Sequence, residues 1–89
     1  MEIKITITDT QAKCLDRITE DKVEWITNCA IARAYTESRD IRQLLLEHCN
    51  ENDVALAVGE DAQITQAFDL GVVLTAEDFR KRVEASKPE

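Results

Sequence analysis

The chain has little of what many catalytic and ligand-binding sites are built from. Its 89 residues include only two glycines, Gly59 and Gly71, one proline and four aromatic side chains. Two isolated glycines exclude a glycine-rich phosphate loop of either common kind, because such loops need several glycines close together. No uncharged stretch approaches the roughly 20 residues that a transmembrane helix needs. We therefore expect a soluble protein with no phosphate loop and no membrane contact.

The length predicts a single small domain over residues 1–85, followed by a frayed tail at 86–89. A chain of this size buries only about 60–65% of the surface that its unfolded form exposes. Disulfide bonds are not expected to compensate, because three cysteines are an odd number and all three lie in helical patterns. We expect modest stability and a need for a partner.

The thiols Cys14, Cys29 and Cys49 lack the spacing of a metal site. Structural zinc sites usually bring ligands in close pairs, and the only close pair here is His48 and Cys49. Neighbouring helical residues point about 100° apart, so these two side chains rarely share an ion. No local signature supports a cysteine nucleophile either. We expect small buried hydrophobic thiols, no metal, no cofactor, no small-molecule substrate and no enzymatic activity.

Negative charge is concentrated in the middle of the chain. The net charge of −7 divides into −1 over residues 1–39, −8 over 40–79 and +2 over 80–89. Between 40 and 79 a single basic residue, Arg42, stands against nine acidic ones. Such a section repels phosphate, so direct nucleic-acid binding is not expected. The acidity serves solubility, meets a basic partner, or imitates nucleic acid.

The first nine residues carry a period-two pattern. Ile3, Ile5 and Ile7 alternate with polar residues, which predicts a half-buried β-strand. A lone strand leaves a row of backbone N–H and C=O groups unpaired. It therefore needs a partner, either in another chain or in the short apolar run Val54–Val58. The flanks of that run suit a buried strand or a last helical turn with a loop equally well.

Most of the remaining residues are predicted to be helical. The apolar spacing predicts helices at about 10–19, about 22–51 and 61–70, and a final helix after Thr75. Val72–Leu74 is predicted to be a short extended connector. The expected N-caps are Asp9 or Thr10, then Asp21, then Thr75, and Gly71 is expected just past the end of the third helix. Glu24 occupies the capping-box position relative to Asp21.

The fold class predicted is mainly α with a short N-terminal β-strand, a small α+β fold in which shorter helices pack one long central helix. The candidate interface combines the strand with apolar positions of that helix. Trp and large aliphatic side chains bury much area at interfaces. The candidate residues are Ile3, Ile5, Ile7, Trp25, Ile26, Ala30, Ile41, Leu44 and Leu45.

Three segments resemble a family of small proteins from tailed bacteriophages. They are the opening Ile3–Gln11, the run Glu24–Asn28 with Ile31–Ala34 after it, and the turn Ala67–Gly71. These resemble the family's I-T-I-T-D-x-Q opening, its E-W-x-x-N segment and its A-F-x-x-G-like turn. Members are commonly encoded among virion structural genes. The resemblance implies a virion component and supplies no site residues.

These observations lead to two expected functions. The first is a structural or assembly component of a tailed-phage virion, in the tail, baseplate, fibre or neck, made in the host cytoplasm. It would act through contacts with virion proteins or copies of itself, with the N-terminal strand paired to a partner. The alternative is a small acidic inhibitor or nucleic-acid mimic that binds a basic host protein, suggested by the acidic section 40–79.

Overall fold

A computed structural model of the chain describes residues 1–86. Four helices make up all of the regular secondary structure in this range: α1 (Asp9–Leu15), α2 (Lys22–Asn52), α3 (Glu60–Asp69) and α4 (Ala76–Ser86). The prediction of a mainly helical protein with one long helix is confirmed, and α2 runs for 31 residues. Its observed end differs from the predicted one by a single residue.

The predicted N-terminal β-strand is wrong for this chain by itself. Residues 1–8 form neither helix nor strand, and no strand occurs within residues 1–86. A strand requires backbone N–H and C=O groups paired with a neighbouring strand. Residues 1–7 make no backbone hydrogen bond to the rest of the described chain. The run Val54–Val58 also forms no strand, so it is a loop between α2 and α3.

The chain divides within α2 into two compact units. The first is Met1–Ala34, and the second begins at Tyr35. None of the residues in the first unit is buried, whereas the second contains the buried core. The single domain expected over 1–85 stays a prediction. Of the tail expected at 86–89, Ser86 ends α4 and the remaining positions lie outside the described residues.

The core of the second unit is small. It consists of Leu45 and Cys49 on α2 and Ala67 on α3. Leu45 and Cys49 are one turn apart and therefore lie on one face of α2. The short side chain of Ala67 lets α3 lie close to that face. Four partly buried residues pack around these three: Ile41, Val54, Val72 and Val73.

The end of α3 turns the chain back onto this core. Gly71 has a positive φ of 72°, the left-handed conformation that glycine adopts without strain. The N–H of Val72 donates to the carbonyl of Ala67 at 2.9 Å, as in a Schellman motif. The predicted role of Gly71 is confirmed. The predicted connector Val72–Leu74 bends instead of running extended, which brings Val72 against the core.

The end of α2 uses the same device without a glycine. Asp53 has a positive φ of 54°. The N–H of Val54 donates to the carbonyl of Cys49 at 3.0 Å, and Val54 packs against the core. At the ends of both α2 and α3, one residue with a positive φ is thus followed by a valine that packs against the core.

The N-cap of α1 lies one residue before the first of the two expected caps. Thr8, not Asp9 or Thr10, is the N-cap, and its hydroxyl accepts a hydrogen bond from the N–H of Gln11 at 3.1 Å. The Gln11 side chain accepts from the Thr8 N–H at 2.9 Å, which completes a capping box. The helix ends at Leu15 instead of extending to residue 19.

Thr19, predicted to lie in α1, instead lies in the turn before α2 and bonds to Asp21. Its hydroxyl accepts from the Asp21 N–H at 3.2 Å and donates to the Asp21 carbonyl at 3.0 Å. Asp21 in turn caps α2 by accepting from the Glu24 N–H at 3.0 Å, as predicted. Thr19 therefore fills the role expected for the Glu24 side chain. Thr75 caps α4 as predicted, accepting from the Asp78 N–H at 3.1 Å.

Candidate interaction surfaces

The N-terminal isoleucines lie against the beginning of α2. Ile3, Ile5 and Ile7 line a single groove together with Val23 and Ile26, and its volume is about 320 Å³. Alternate residues of an extended segment point to one side. The period-two pattern therefore places the three isoleucines on a common face, as the sequence predicted, although no partner strand accompanies them.

This groove is open, and we call its lining residues the N-terminal groove. Ile3 is 72% exposed and Ile5 is 58% exposed, whereas Ile7 and Ile26 are half-buried. Burying apolar surface contributes roughly 25 cal/mol per Å². The exposed isoleucine surface and the unbonded backbone of residues 1–7 are two separate sources of free energy for binding another chain.

Trp25 lies outside the N-terminal groove. It lines a second surface depression with Ile18, Thr19 and Asn28, at the junction between α1 and α2. Ala30 is exposed and lines neither of these two surfaces. The candidate residues in the first half of α2 therefore divide between two faces of the helix instead of forming one stripe.

The leucine-rich part of α2 contains both core and surface residues. Leu45 is fully buried at 0% exposure, and Ile41 packs partly buried against it. Leu44 is 47% exposed. Consecutive helical side chains point about 100° apart, so only one of two adjacent leucines faces α3. Leu45 thus belongs to the core of the chain, and Leu44 remains available for a partner.

A polar cleft of about 400 Å³ lies between α2 and α3 in the second unit. Its polar side chains bond mainly to each other. The Ser38 hydroxyl donates to a carboxylate oxygen of Glu60 at 3.0 Å, and Nε of Arg42 donates to Oε1 of Gln63 at 2.7 Å. These bonds link α2 to the first turn of α3. The side chains of the cleft therefore connect the two helices.

Sequence reasoning missed two glutamines that organise the loop before α3. Oε1 of Gln66 accepts from the Ala57 N–H at 2.8 Å, and its Nε2 donates to the Ala55 carbonyl at 2.8 Å. Gln63 donates to the Ala57 carbonyl at 2.9 Å. Glutamine at helical spacing carries no sequence signal for this role. Only the approach of the loop to α3 creates it.

The cysteines occupy three separate environments. Cys14 and Cys29 are exposed, and Cys49 is buried in the core. The expectation of three buried thiols is therefore wrong for two of them. Across residues 1–86, no group of three or more His, Cys, Asp and Glu side chains is placed to hold a metal ion.

The helices of the described chain include none that is both long enough and apolar enough to cross a membrane. Comparison of the chain with protein-family models, curated proteins and solved structures found no match.

Proposed function

We propose that this chain is an assembly component of a tailed-phage virion, located in the tail, baseplate, fibre or neck, and that it acts through protein–protein contacts. Its N-terminal segment would pair as a strand with a partner chain. One observation carries the proposal: residues 1–7 make no backbone hydrogen bonds within the described chain, while Ile3 and Ile5 remain largely exposed. The virion setting comes from the resemblance of the three sequence segments.

The mechanism proposed is β-augmentation. A partner strand would supply the missing hydrogen bonds to residues 1–7, and apolar partner side chains would cover the N-terminal groove. Main-chain hydrogen bonds would give affinity, and the isoleucines Ile3, Ile5 and Ile7 would fix the register. A shift by one residue would move all three isoleucines to the opposite face.

The test compares Ile5→Asp with the matched control Thr6→Asp in phage particles that carry each variant. Both add one carboxylate, but only residue 5 faces the groove. We expect Ile5→Asp to abolish recovery of the protein in gradient-purified particles, while far-ultraviolet circular dichroism shows intact helices. Thr6→Asp should be incorporated at the wild-type ratio. Equal incorporation of both variants would contradict pairing through the isoleucine face.

A second measurement follows the backbone directly. Amide hydrogens of residues 3–7 should exchange at nearly unprotected rates in the isolated chain, because they make no hydrogen bonds. In the assembled particle the same amides should be protected. Unchanged exchange in a particle that contains the protein would show that the segment does not pair.

One observation favours the alternative, an acidic inhibitor of a basic host protein. All nine acidic residues between 40 and 79 are exposed, and Arg42 donates to Gln63 instead of a carboxylate. Such a surface would attract a nucleic-acid-binding protein, and salt would weaken the complex. This function would be favoured over assembly if the chain competes with DNA for a purified basic host protein and is itself absent from virions.

A further inference from the structure

A groove on α3 combines apolar and acidic side chains. It has a volume of about 580 Å³ and lies in the second unit, away from the core. Asp61, Thr65 and Asp69 follow one another at four-residue spacing along one side of α3. Ala62 and Leu70 supply apolar surface beside them. We call this surface the α3 groove.

The helix α4 presents an uncovered apolar stripe. None of its residues is buried, Phe79 is 61% exposed, and Val83 lies one turn further along the same face. Helical spacing of 100° per residue places Arg80 on one side of this stripe and Arg82 on the other. The helix α4 therefore carries an apolar ridge, formed by Phe79 and Val83, with one guanidinium group on each side of it.

The basic residues of α4 differ in their ion pairs. Lys81 lies on the opposite side of the helix and pairs with Glu77 at 3.1 Å. Arg80 makes only a long contact of 3.9 Å with Glu84. Arg82 pairs with no carboxylate among residues 1–86. The two guanidiniums beside the apolar stripe are thus the ones most available to an acidic partner.

We propose that α4 of one copy docks in the α3 groove of a second copy. Phe79 and Val83 would cover the apolar part of the groove, and Arg80 and Arg82 would face Asp61 and Asp69. Charge complementarity selects a second copy as the occupant, because every chain carries both the acidic groove and the basic-flanked ridge. The inference rests on the proposed assembly function for its biological role, but it uses a surface separate from the N-terminal groove.

The two halves of this contact are different surfaces, so the contact is heterologous. Head-to-tail contacts form a ring when the rotation closes and a filament when it does not. One short helix buries an area at the low end of specific interfaces, below about 1,200 Å² in total. Association is therefore weak for a single contact and rises with protein concentration.

The experiment uses full-length chains with exchanged charges and measures mass by sedimentation velocity over a dilution series. The first variant, R80E/R82E, reverses the charge beside the α4 ridge and keeps the wild-type α3 groove. The second, D61R/D69R, reverses the charge of the α3 groove and keeps the wild-type ridge. Wild type should associate increasingly with concentration, and each variant alone should remain monomeric.

A mixture of the two variants should associate with concentration as wild type does, in alternating copies. The wild-type ridge of the second variant fits the wild-type groove of the first, and the exchanged ridge of the first fits the exchanged groove of the second. The chain carrying all four exchanges should associate again. Lys81→Glu and Glu51→Arg are the matched controls, since they change charge outside the proposed contact and should associate like wild type. Circular dichroism of each variant checks that the helices are retained.

A wild-type chain that stays monomeric, single variants that associate like wild type, or a mixture of the two variants that stays monomeric would each overturn the proposal. The two proposed surfaces can fail independently. Ile5→Asp should still self-associate through α4, since residue 5 is not part of the contact. Loss of virion incorporation by Ile5→Asp together with a monomeric wild type would support the proposed function and reject docking by α4.

Discussion

The side chain of Gln66 bonds to the backbone at Ala57 much as a neighbouring strand would. Its Oε1 accepts from the Ala57 N–H, and its Nε2 donates to the carbonyl of Ala55, both at 2.8 Å. A β-ladder satisfies the same kinds of groups, one donor and one acceptor on the same edge of the chain. A single carboxamide on α3 thus replaces part of a partner strand for the loop 54–58.

Replacing Gln66 should lower the free energy of unfolding. Gln66→Ala removes both bonds and leaves the part-buried Ala57 N–H unsatisfied, which costs about 1–3 kcal/mol of unfolding free energy. Gln66→Glu keeps an acceptor for the Ala57 N–H but loses the donor to Ala55, so its effect should be smaller. Urea denaturation measures both values. Thr65→Ala, an exposed neighbour on α3, serves as the control and should change little.

The adjacent leucines of α2 predict a sharp contrast. Leu45→Ala removes a fully buried side chain and should cost about 2–5 kcal/mol. Leu44→Ala removes a half-exposed side chain and should stay within about 1 kcal/mol. Chemical denaturation of the two variants checks the difference. Equal losses would mean that the face of α2 assigned to the core is incorrect.

Substitutions at the two residues with positive φ that follow α2 and α3 should change the melting temperature in opposite directions. Gly71→Ala forces a Cβ into a conformation at φ 72° that costs roughly 1–2 kcal/mol, so it should lower the melting temperature. Nothing lies within 4 Å of the added Cβ, so backbone strain is the only cause. Asp53→Gly relieves the same strain at φ 54° and should raise the melting temperature. A stabilised Gly71→Ala would contradict this account.

The observed cap of α1 can be separated from the predicted one. Thr8→Ala removes the oxygen that accepts from the Gln11 N–H, at a cost of about 1 kcal/mol to α1. The Gln11 amide should then exchange roughly fivefold faster, since 1.4 kcal/mol corresponds to tenfold. Thr10→Ala, the control, should leave that exchange unchanged. Faster exchange in Thr10→Ala alone would restore the sequence-based assignment.

Local patterns predicted much of the helical structure. The N-caps Asp21 and Thr75 and the turn residue Gly71 act through neighbours within four positions of the chain. Such interactions depend on residue type and spacing, which the sequence contains. The prediction was less accurate for α1, because Thr8 and Thr10 are equally suited to cap a helix when only local preference is considered.

Long-range relations were not predictable in the same way. Three consecutive leucines, Leu44 to Leu46, look alike in sequence, and only the position of α3 selects Leu45 for the core. The run Val54–Val58 suits a strand or a loop, and the glutamines of α3 satisfy its backbone without a strand. The division of Trp25 and Ile26 between two surfaces likewise depends on where residues 1–8 lie.

Residue order was enough to predict the mainly helical content, the common face of Ile3, Ile5 and Ile7, and the concentration of negative charge between 40 and 79. Periodicity and charge are properties of residue order, so they need no tertiary contact. The folded chain was needed to show that residues 1–7 form no ladder and that α4 leaves Phe79 uncovered. Hydrogen-bond pairing and burial require a second surface, and residue order alone does not specify which surface comes near.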